Sequence, residues 1–491
     1  MPLWLLVLLI AVLPRLFRIL YPYAWFEDSV YLYQAFAYRS GLKPFIHTLS
    51  VHPPCLEYLL AGLYNIFGVS YRVAEILTAI IVTISTLLLF DIARRLFGRY
   101  IALFMIVLFS FSSLLFRYHI FEREIFTLFI TCLVMWFIVS RSSQPLNWFL
   151  IGLLSGLGGS IKLSGLFILP AVTIYFVAEK RFKAILYLLS GFLIITIVLY
   201  GYFLITYQTP AFYQIFYFHF FKGYDTAINV RFLDPFLISL NYLWILGASG
   251  IILCFFSANK FLIFPLVLFL EYSLFFLFVS STCWPHNMID LLLPLAITNG
   301  LTIYCLKNRS WRKKNIVLSS LSVILAVFFI SAGSLNFSYY QGFGYIPRQE
   351  VKKCAEMIKF QTPPHMPVHT PNYLALEAHR LKLIDYEECI GPYRLMLKII
   401  KGKNNLSLKD IKFSGWHELI KETLRLWRYE IDEAVRERRI SCVVWDKIFP
   451  EWALMYNIDK YLESEIKIFS GSGYRVIYDS PYYTVWVINQ H

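Results

Sequence analysis

The chain reads as a polytopic α-helical membrane protein of about eleven transmembrane helices, with interfacial helices in its first external loop and a C-terminal extracytoplasmic α/β domain. Three observations predict this class. Of 491 residues, 58% are hydrophobic and 15% charged, a balance that excludes a soluble globular protein. Apolar runs of membrane-crossing length recur from residue 1 to about residue 333. Beyond that point charges become frequent and apolar runs shorten to strand length. The net charge of +14 would suggest nucleic acid as a partner for a soluble chain. Here much of the Lys/Arg excess falls in short loops between spans, where orientation signals lie, and no nucleic-acid partner is expected.

Taken in order, candidate spans run over roughly 1–20, 70–92, 100–117, 125–140, 147–161, 164–178, 184–206, 237–256, 261–280, 288–306 and 315–333. The first is apolar, without a positive leader or small-residue cleavage site, and reads as a retained helix. Basic connections recur in alternate loops: Arg94, Arg95 and Arg99; Arg141; Lys180, Arg181 and Lys183; Lys260; and Lys307 to Lys314. By the positive-inside rule these are cytoplasmic. The opposite, extracytoplasmic side then receives residues 21–69, 118–124, the turn near Lys162, 207–236, 281–287 and the tail. Two domains follow: 1–333 in the membrane, including the external loop 21–69, and 334–491 outside it.

The external loop is patterned. Glu27 and Asp28 stand side by side at the mouth of the first span with no cation next to them in sequence, an arrangement costly to keep near lipid. Tyr31, Tyr33, Phe36 and Tyr38 follow; aromatic rings of this kind favour the headgroup level, so an interfacial helix is expected. After His52-Pro53-Pro54, a second interfacial helix runs from Leu56 to Phe67 and stops at Gly68.

An Arg late in the first span (Arg15 or Arg18), the acidic pair separated from Tyr31 by two residues, a basic residue before Pro53-Pro54, a short helix ending Phe67-Gly68, and Ala93-Arg94-Arg95-Leu96-Phe97-Gly98 occur in that order. So ordered, they resemble the C-type glycosyltransferase superfamily. Within it the similarity is to the protein O-mannosyltransferase and aminoarabinose-transferase branch, whose members take a sugar from a polyprenyl phosphate, dolichyl or undecaprenyl, outside the membrane. The resemblance continues through Arg117 to Glu124, through Gly152 to Leu169 and over His219-Phe220-Phe221-Lys222. It covers about residues 1–300 and is vague beyond them. It implies a glycosyltransferase with a lipid-linked sugar donor and a protein or lipid acceptor.

That chemistry needs a carboxylate to take the acceptor's proton and positive charge, or a metal, to stabilise the departing lipid phosphate. Asp28 or Glu27 is the candidate catalytic base, and the sequence does not decide between them. Lys162, Arg117, Arg123, Lys222 and His52 are candidate phosphate ligands, Lys162 foremost, because a lysine between two apolar spans is costly to bury without an anion. His219, His52 and Glu122 are candidate metal ligands: imidazole and carboxylate suit zinc or manganese, and magnesium stays open as the divalent ion. Where relatives place a Glu before the basic-Pro-Pro motif this chain has Val51, and His52 equally suits phosphate without a metal. Glu124, Tyr31 and His286 complete the expected pocket.

In the tail, 367–370, 381–385 and 441–446 read as strands, 414–439 as a polar helix, and 474–478 with 482–488 as a hairpin. Cys354, Cys389 and Cys442 lie there and are able to pair outside the cell. Two other classes compete. A transporter or lipid flippase usually shows similar halves and mid-span polar residues, and neither is evident. A scaffold subunit without activity is kept open by Val51.

Overall fold

The computed structural model describes residues 2–20, 26–48, 50, 52–112, 115, 121–140, 144–217, 243, 247, 249–255, 257, 259–276, 285–308, 347–382, 433–446 and 473–488. They form two compact units. One comprises Met1–Tyr21, Glu75–Gln208 and Gly223–Phe343; the other comprises Pro22–Ala74, Thr209–Lys222 and Gly344–His491. The division differs from a cut at 333/334, because the external loop falls with the tail.

The first unit holds α1 (Leu3–Leu20), most of α4 (Tyr71–Phe97), α5 (Arg99–Ser110), α6 (Arg123–Val139), α7 (Pro145–Ile161), α8 (Ile168–Ala178), most of α9 (Phe182–Phe212), α10 (Ile263–Leu274) and α11 (Leu292–Asn308). Each overlaps an expected span. Among the described residues three helices, Tyr71–Phe97, Phe182–Gln208 and Asn287–Lys307, are long and apolar enough to cross a membrane. The expected spans at 237–256, in most of its residues, and at 315–333 lie outside the described residues. On α9 Leu186, Ile197 and Ile205 are more than three-fifths exposed, as a helix facing hydrocarbon requires.

Arginine in a span must satisfy its donors internally. Arg15 is 1% exposed and donates from Nη1 to the Leu115 carbonyl at 2.7 Å and from Nη2 to the Ser110 carbonyl. It thereby serves the Ser110 carbonyl at the end of α5, which a helix C-terminus leaves without an intrahelical partner.

Helices α7 and α9 cross at backbone contact because glycines line the crossing. A Cβ on Gly152 would lie 2.0 Å from the Leu188 carbonyl oxygen, and one on Gly191 would lie 2.2 Å from the Phe149 carbonyl oxygen. Small residues permit such an approach between membrane helices.

The second unit contains α2 (Phe26–Arg39), α3 (Cys55–Phe67), α12 (Arg348–Gln361), α13 (Asn372–Ala378) and a four-stranded sheet. The strands are β1 (Val368–His369), β2 (Cys442–Asp446), β3 (Tyr474–Asp479) and β4 (Tyr483–Ile488), in the order β1-β2-β4-β3. β1 pairs parallel to β2, and β2, β4 and β3 are antiparallel. A single bridge, Val368 to Lys382, adds the expected 381–385 strand at its start. Residues 433–436 are helical, the end of the expected polar helix. Ala434, Val435 and Ile440 pack with Val443, Tyr474, Trp486 and Ile488 as its core.

The two loop helices form as expected, and Gly68 takes a positive φ of 80° at the end of α3. Their surfaces differ from the expectation of two interfacial helices. Tyr33, Phe36 and Tyr38 of α2 are buried, because α2 packs between α3 and α13. Its aromatic rings therefore fill protein rather than the headgroup layer. On α3, Leu59, Ile66 and Phe67 remain exposed, so that helix alone keeps an apolar outer face.

Replacing Gly152 by Ala must push α7 from α9, since a backbone oxygen cannot yield as a flexible side chain does. The expected cost is about 1–3 kcal/mol, the range for overpacking. Thermal unfolding of the purified protein in detergent checks it, and a parental melting temperature would contradict the crossing.

Candidate active site

The side chains expected to carry chemistry fall into two groups, one in each unit. In the first unit the site is built where α6 begins and α7 ends. Glu122 is extended (φ −99°, ψ 142°), and α6 starts at Arg123, so Glu122, Arg123 and Glu124 share its first turn. All three are buried. α7 stops at Ile161, and Lys162 is extended (φ −149°, ψ 138°) before a 3-10 turn over Leu163–Phe167. The chain can fold back there because Gly165 sits against the helix end: a Cβ on it would lie 2.3 Å from the Gly158 carbonyl oxygen. Arg123 Nη1 donates to the Ile161 carbonyl at 3.1 Å, and Tyr200 donates to that of Gly159 at 2.8 Å.

This turn places the Lys162 ammonium among anions. Nζ lies 2.5 Å from Glu124 Oε1, 3.0 Å from Asn287 Oδ1 and 3.5 Å from Asp290 Oδ2. Asn287 and Asp290 come from a second 3-10 turn, Pro285–Leu291, ahead of α11. Asp290 is 3% exposed and accepts at Oδ1 from the Thr127 hydroxyl at 2.7 Å and at Oδ2 from the Ser164 hydroxyl at 3.2 Å. Burial alone would pull the lysine pKa down. The adjacent Glu124 and Asp290 carboxylates outweigh it, and the ammonium of this turn, outside both flanking helices, is held above its ordinary value.

The arrangement changes the reading of Lys162. Expected as a phosphate ligand, it already serves two carboxylates. Its partners are carboxylates of this chain rather than a phosphate. Nor does the cluster suit a divalent ion, since the lysine stands where the cation would. Among the described residues no group of three or more His, Cys, Asp or Glu side chains gathers as a metal site. Of the expected metal ligands, His219 lies outside the described residues, Glu122 is buried at the start of α6, and His52 is half-buried in the turn before α3. Arg117 and Lys222 also lie outside the described residues, and His286 stands in the Pro285–Leu291 turn.

Opposite this cluster, α6 ends near a basic one. Trp136 Nε1 donates to Asp91 Oδ2 at 3.0 Å, and Asp91 also receives Arg94 at 2.5 Å and Arg95 at 2.7 Å. The two polar clusters thus sit at opposite ends of α6.

In the second unit Glu27 and Asp28 occupy the first turn of α2, with Tyr31 half-buried one turn on. The loop after α2 is pinned by Gln214, which accepts from the Ser50 N–H at 2.9 Å and donates to the Phe45 carbonyl at 2.8 Å. The Ser50 hydroxyl donates to the His52 carbonyl at 2.9 Å. Sequence reasoning gave no role to Thr127 and Ser164. Their only signal is spacing, three residues after Glu124 and two after Lys162.

Comparison with known proteins agrees with the resemblance. Residues 51–202 match the family model described as dolichyl-phosphate-mannose-protein mannosyltransferase. A search of curated proteins finds no match. Among solved structures, the fold is similar to that of ArnT from Cupriavidus metallidurans bound to undecaprenyl phosphate. The TM-score is 0.65 at 13% identity, covering 99% of this chain and 97% of that one. It is also similar to the Archaeoglobus fulgidus oligosaccharyltransferase tethered to an acceptor peptide, with a TM-score of 0.56 at 12% identity over 99% of this chain and 74% of that one. The archaeal oligosaccharyltransferase AglB from Archaeoglobus fulgidus in complex with an inhibitory peptide and a dolichol-phosphate aligns with a TM-score of 0.54 at 12% identity over 90% of this chain and 69% of that one. The resemblance to C-type glycosyltransferases is borne out, by fold along the chain and by family model over 51–202, and with it the glycosyltransferase class.

Removing the Lys162 ammonium leaves two buried carboxylates without their cation. Lys162→Ala is expected to cost about 3–5 kcal/mol, as breaking a buried ion pair does. Lys162→Met combined with Asp290→Asn and Glu124→Gln is expected to recover much of that loss. Denaturant unfolding compares them. Equal stability of Lys162→Ala and the parent would contradict the cluster.

Proposed function

We propose that the chain is a membrane glycosyltransferase that passes a sugar from a polyprenyl phosphate, dolichyl or undecaprenyl, to a hydroxyl of a protein or lipid acceptor on the extracytoplasmic side. The observation that carries the reading is the buried cluster in the first unit. Two of its three charges, Glu124 and Lys162, fall within the stretch that matches the mannosyltransferase family model. The undecaprenyl phosphate and dolichol-phosphate named with the similar structures support a lipid-phosphate donor.

In the proposed reaction Asp28 or Glu27 takes the proton of the acceptor hydroxyl as its oxygen attacks the anomeric carbon. The bond from that carbon to the phosphate oxygen breaks, and its electron pair leaves on the polyprenyl phosphate. Arg117, Arg123, Lys222 and His52 are the proposed sources of positive charge for the departing phosphate. Lys162 has a different part: it pairs with Glu124 and Asp290 and holds them in place. In the alternative in which His52 is a metal ligand rather than a phosphate contact, a divalent ion held by His52, His219 and Glu122 would supply Lewis-acid stabilisation of the same phosphate. Tyr31 and His286 are proposed to line the pocket.

The proposal includes about eleven spans with the basic loops cytoplasmic and the tail outside. The basic cluster around Asp91 and the acidic one around Lys162, at opposite ends of α6, support that orientation. Cysteines introduced at 220 and 313 are expected to label from opposite faces of sealed cells.

Asp28→Asn and Glu27→Gln keep shape while removing basicity. Replacing the residue that acts as base is expected to lower turnover by about 10² or more with donor binding nearly intact. The assay uses a panel of labelled polyprenyl-phosphate sugars with mass identification of the product. Near-parental transfer by both variants would remove the base from this stretch.

A further inference from the structure

The helix that carries the acidic pair is joined to the edge of the C-terminal sheet through a tyrosine hydroxyl. α2 is continuous from Phe26 to Arg39, and Tyr33 lies five residues beyond Asp28. Tyr33 is 1% exposed, and its hydroxyl oxygen accepts the backbone N–H of Lys382 at 2.8 Å. Lys382 is itself fixed in three ways. Its backbone bridges Val368 of β1. Its ammonium donates to Asn372 Oδ1 at 2.7 Å, at the start of α13. The same ammonium stands 5.7 Å from the centroid of the Tyr33 ring. One turn further along α2, the Phe36 ring lies 6.3 Å from that of His379, the residue that ends α13.

We propose that Tyr33 and Lys382 are positioning residues for the acidic pair: they lock α2 onto the C-terminal sheet and so fix where its first turn holds Glu27 and Asp28. The inference rests on the reading of that pair as the catalytic base. A helix is stiff along its axis and rises about 1.5 Å per residue, so a slide or rotation of α2 at Tyr33 reaches its first turn, about 8–9 Å away, nearly undiminished. Transfer is sensitive to such displacement, because misplacing a reacting group by about 1 Å can cost about 10² in rate. The C-terminal domain then has a part in catalysis without contributing a reacting group.

Tyr33→Phe removes the hydrogen bond and keeps the ring. In the full-length protein in nanodiscs, the backbone amides of residues 26–32 are expected to exchange with deuterium faster than in the parent. With labelled dolichyl-phosphate mannose as donor, kcat is expected to fall about tenfold while the donor KM stays within about twofold. Lys382→Met, which keeps the N–H donor and loses only the ammonium, is expected to show the same split to a smaller degree. It serves as the test if Tyr33→Phe does not fold. Because Tyr33 acts through the acid, adding Tyr33→Phe to whichever of Asp28→Asn and Glu27→Gln lowers turnover by about 10² is expected to cause no further loss of the residual transfer. Unchanged exchange over 26–32, parental kcat in Tyr33→Phe, or an independent further loss in the double variant overturns the proposal and leaves the base assignment standing. Full transfer by both single amide variants overturns the base assignment, and this proposal with it.

Discussion

Two carboxylates buried among apolar helices share one ammonium, and the rest of the first unit is arranged to make that tolerable. Glu124 and Asp290 could not stay ionised there alone, since an unpaired buried charge is neutralised or expelled. Lys162 reaches both because α7 stops one residue before it and the chain doubles back. That reversal needs Gly158 and Gly165 in backbone contact, and α7 is held in place by the glycine crossing with α9. Thr127 and Ser164 then bind the Asp290 oxygens that face away from the lysine or share it. The cluster therefore depends on three segments distant in sequence and is assembled only when all three meet.

Much of the helical class was legible because hydrocarbon imposes one pattern on every span, and the apolar runs over 70–92, 125–140 and 184–206 correspond to α4, α6 and α9. The hairpin of β3 and β4 was equally readable, since Ser480-Pro481 interrupts two alternating strands. The partner of Lys162 was not readable. A lysine between spans announces that an anion is needed, but Glu124 lies 38 residues away and Asp290 lies 128 away, and only packing decides which anion answers. Phosphate and carboxylate make the same demand on a sequence. The surface of α2 was misread for a related reason: a row of aromatic residues suits a headgroup layer and a protein interior alike, and the docking of α13 and α3 settles it for Tyr33, Phe36 and Tyr38.

The division into units bears on mechanism. The loop that carries Glu27, Asp28 and His52 folds with the sheet domain rather than with the helices that precede and follow it in sequence. The candidate base and the buried cluster thus belong to separate bodies. In the second unit α3 keeps an exposed apolar face in Leu59, Ile66 and Phe67.

The central claim is that this chain recognises a polyprenyl phosphate. Native mass spectrometry of the purified protein, released from nanodiscs with equimolar undecaprenyl phosphate and phosphatidic acid, tests it most directly, because the two lipids offer similar headgroup charge. The account predicts one undecaprenyl phosphate retained per chain in preference to phosphatidic acid. Retention of both lipids alike, or of neither, would contradict it.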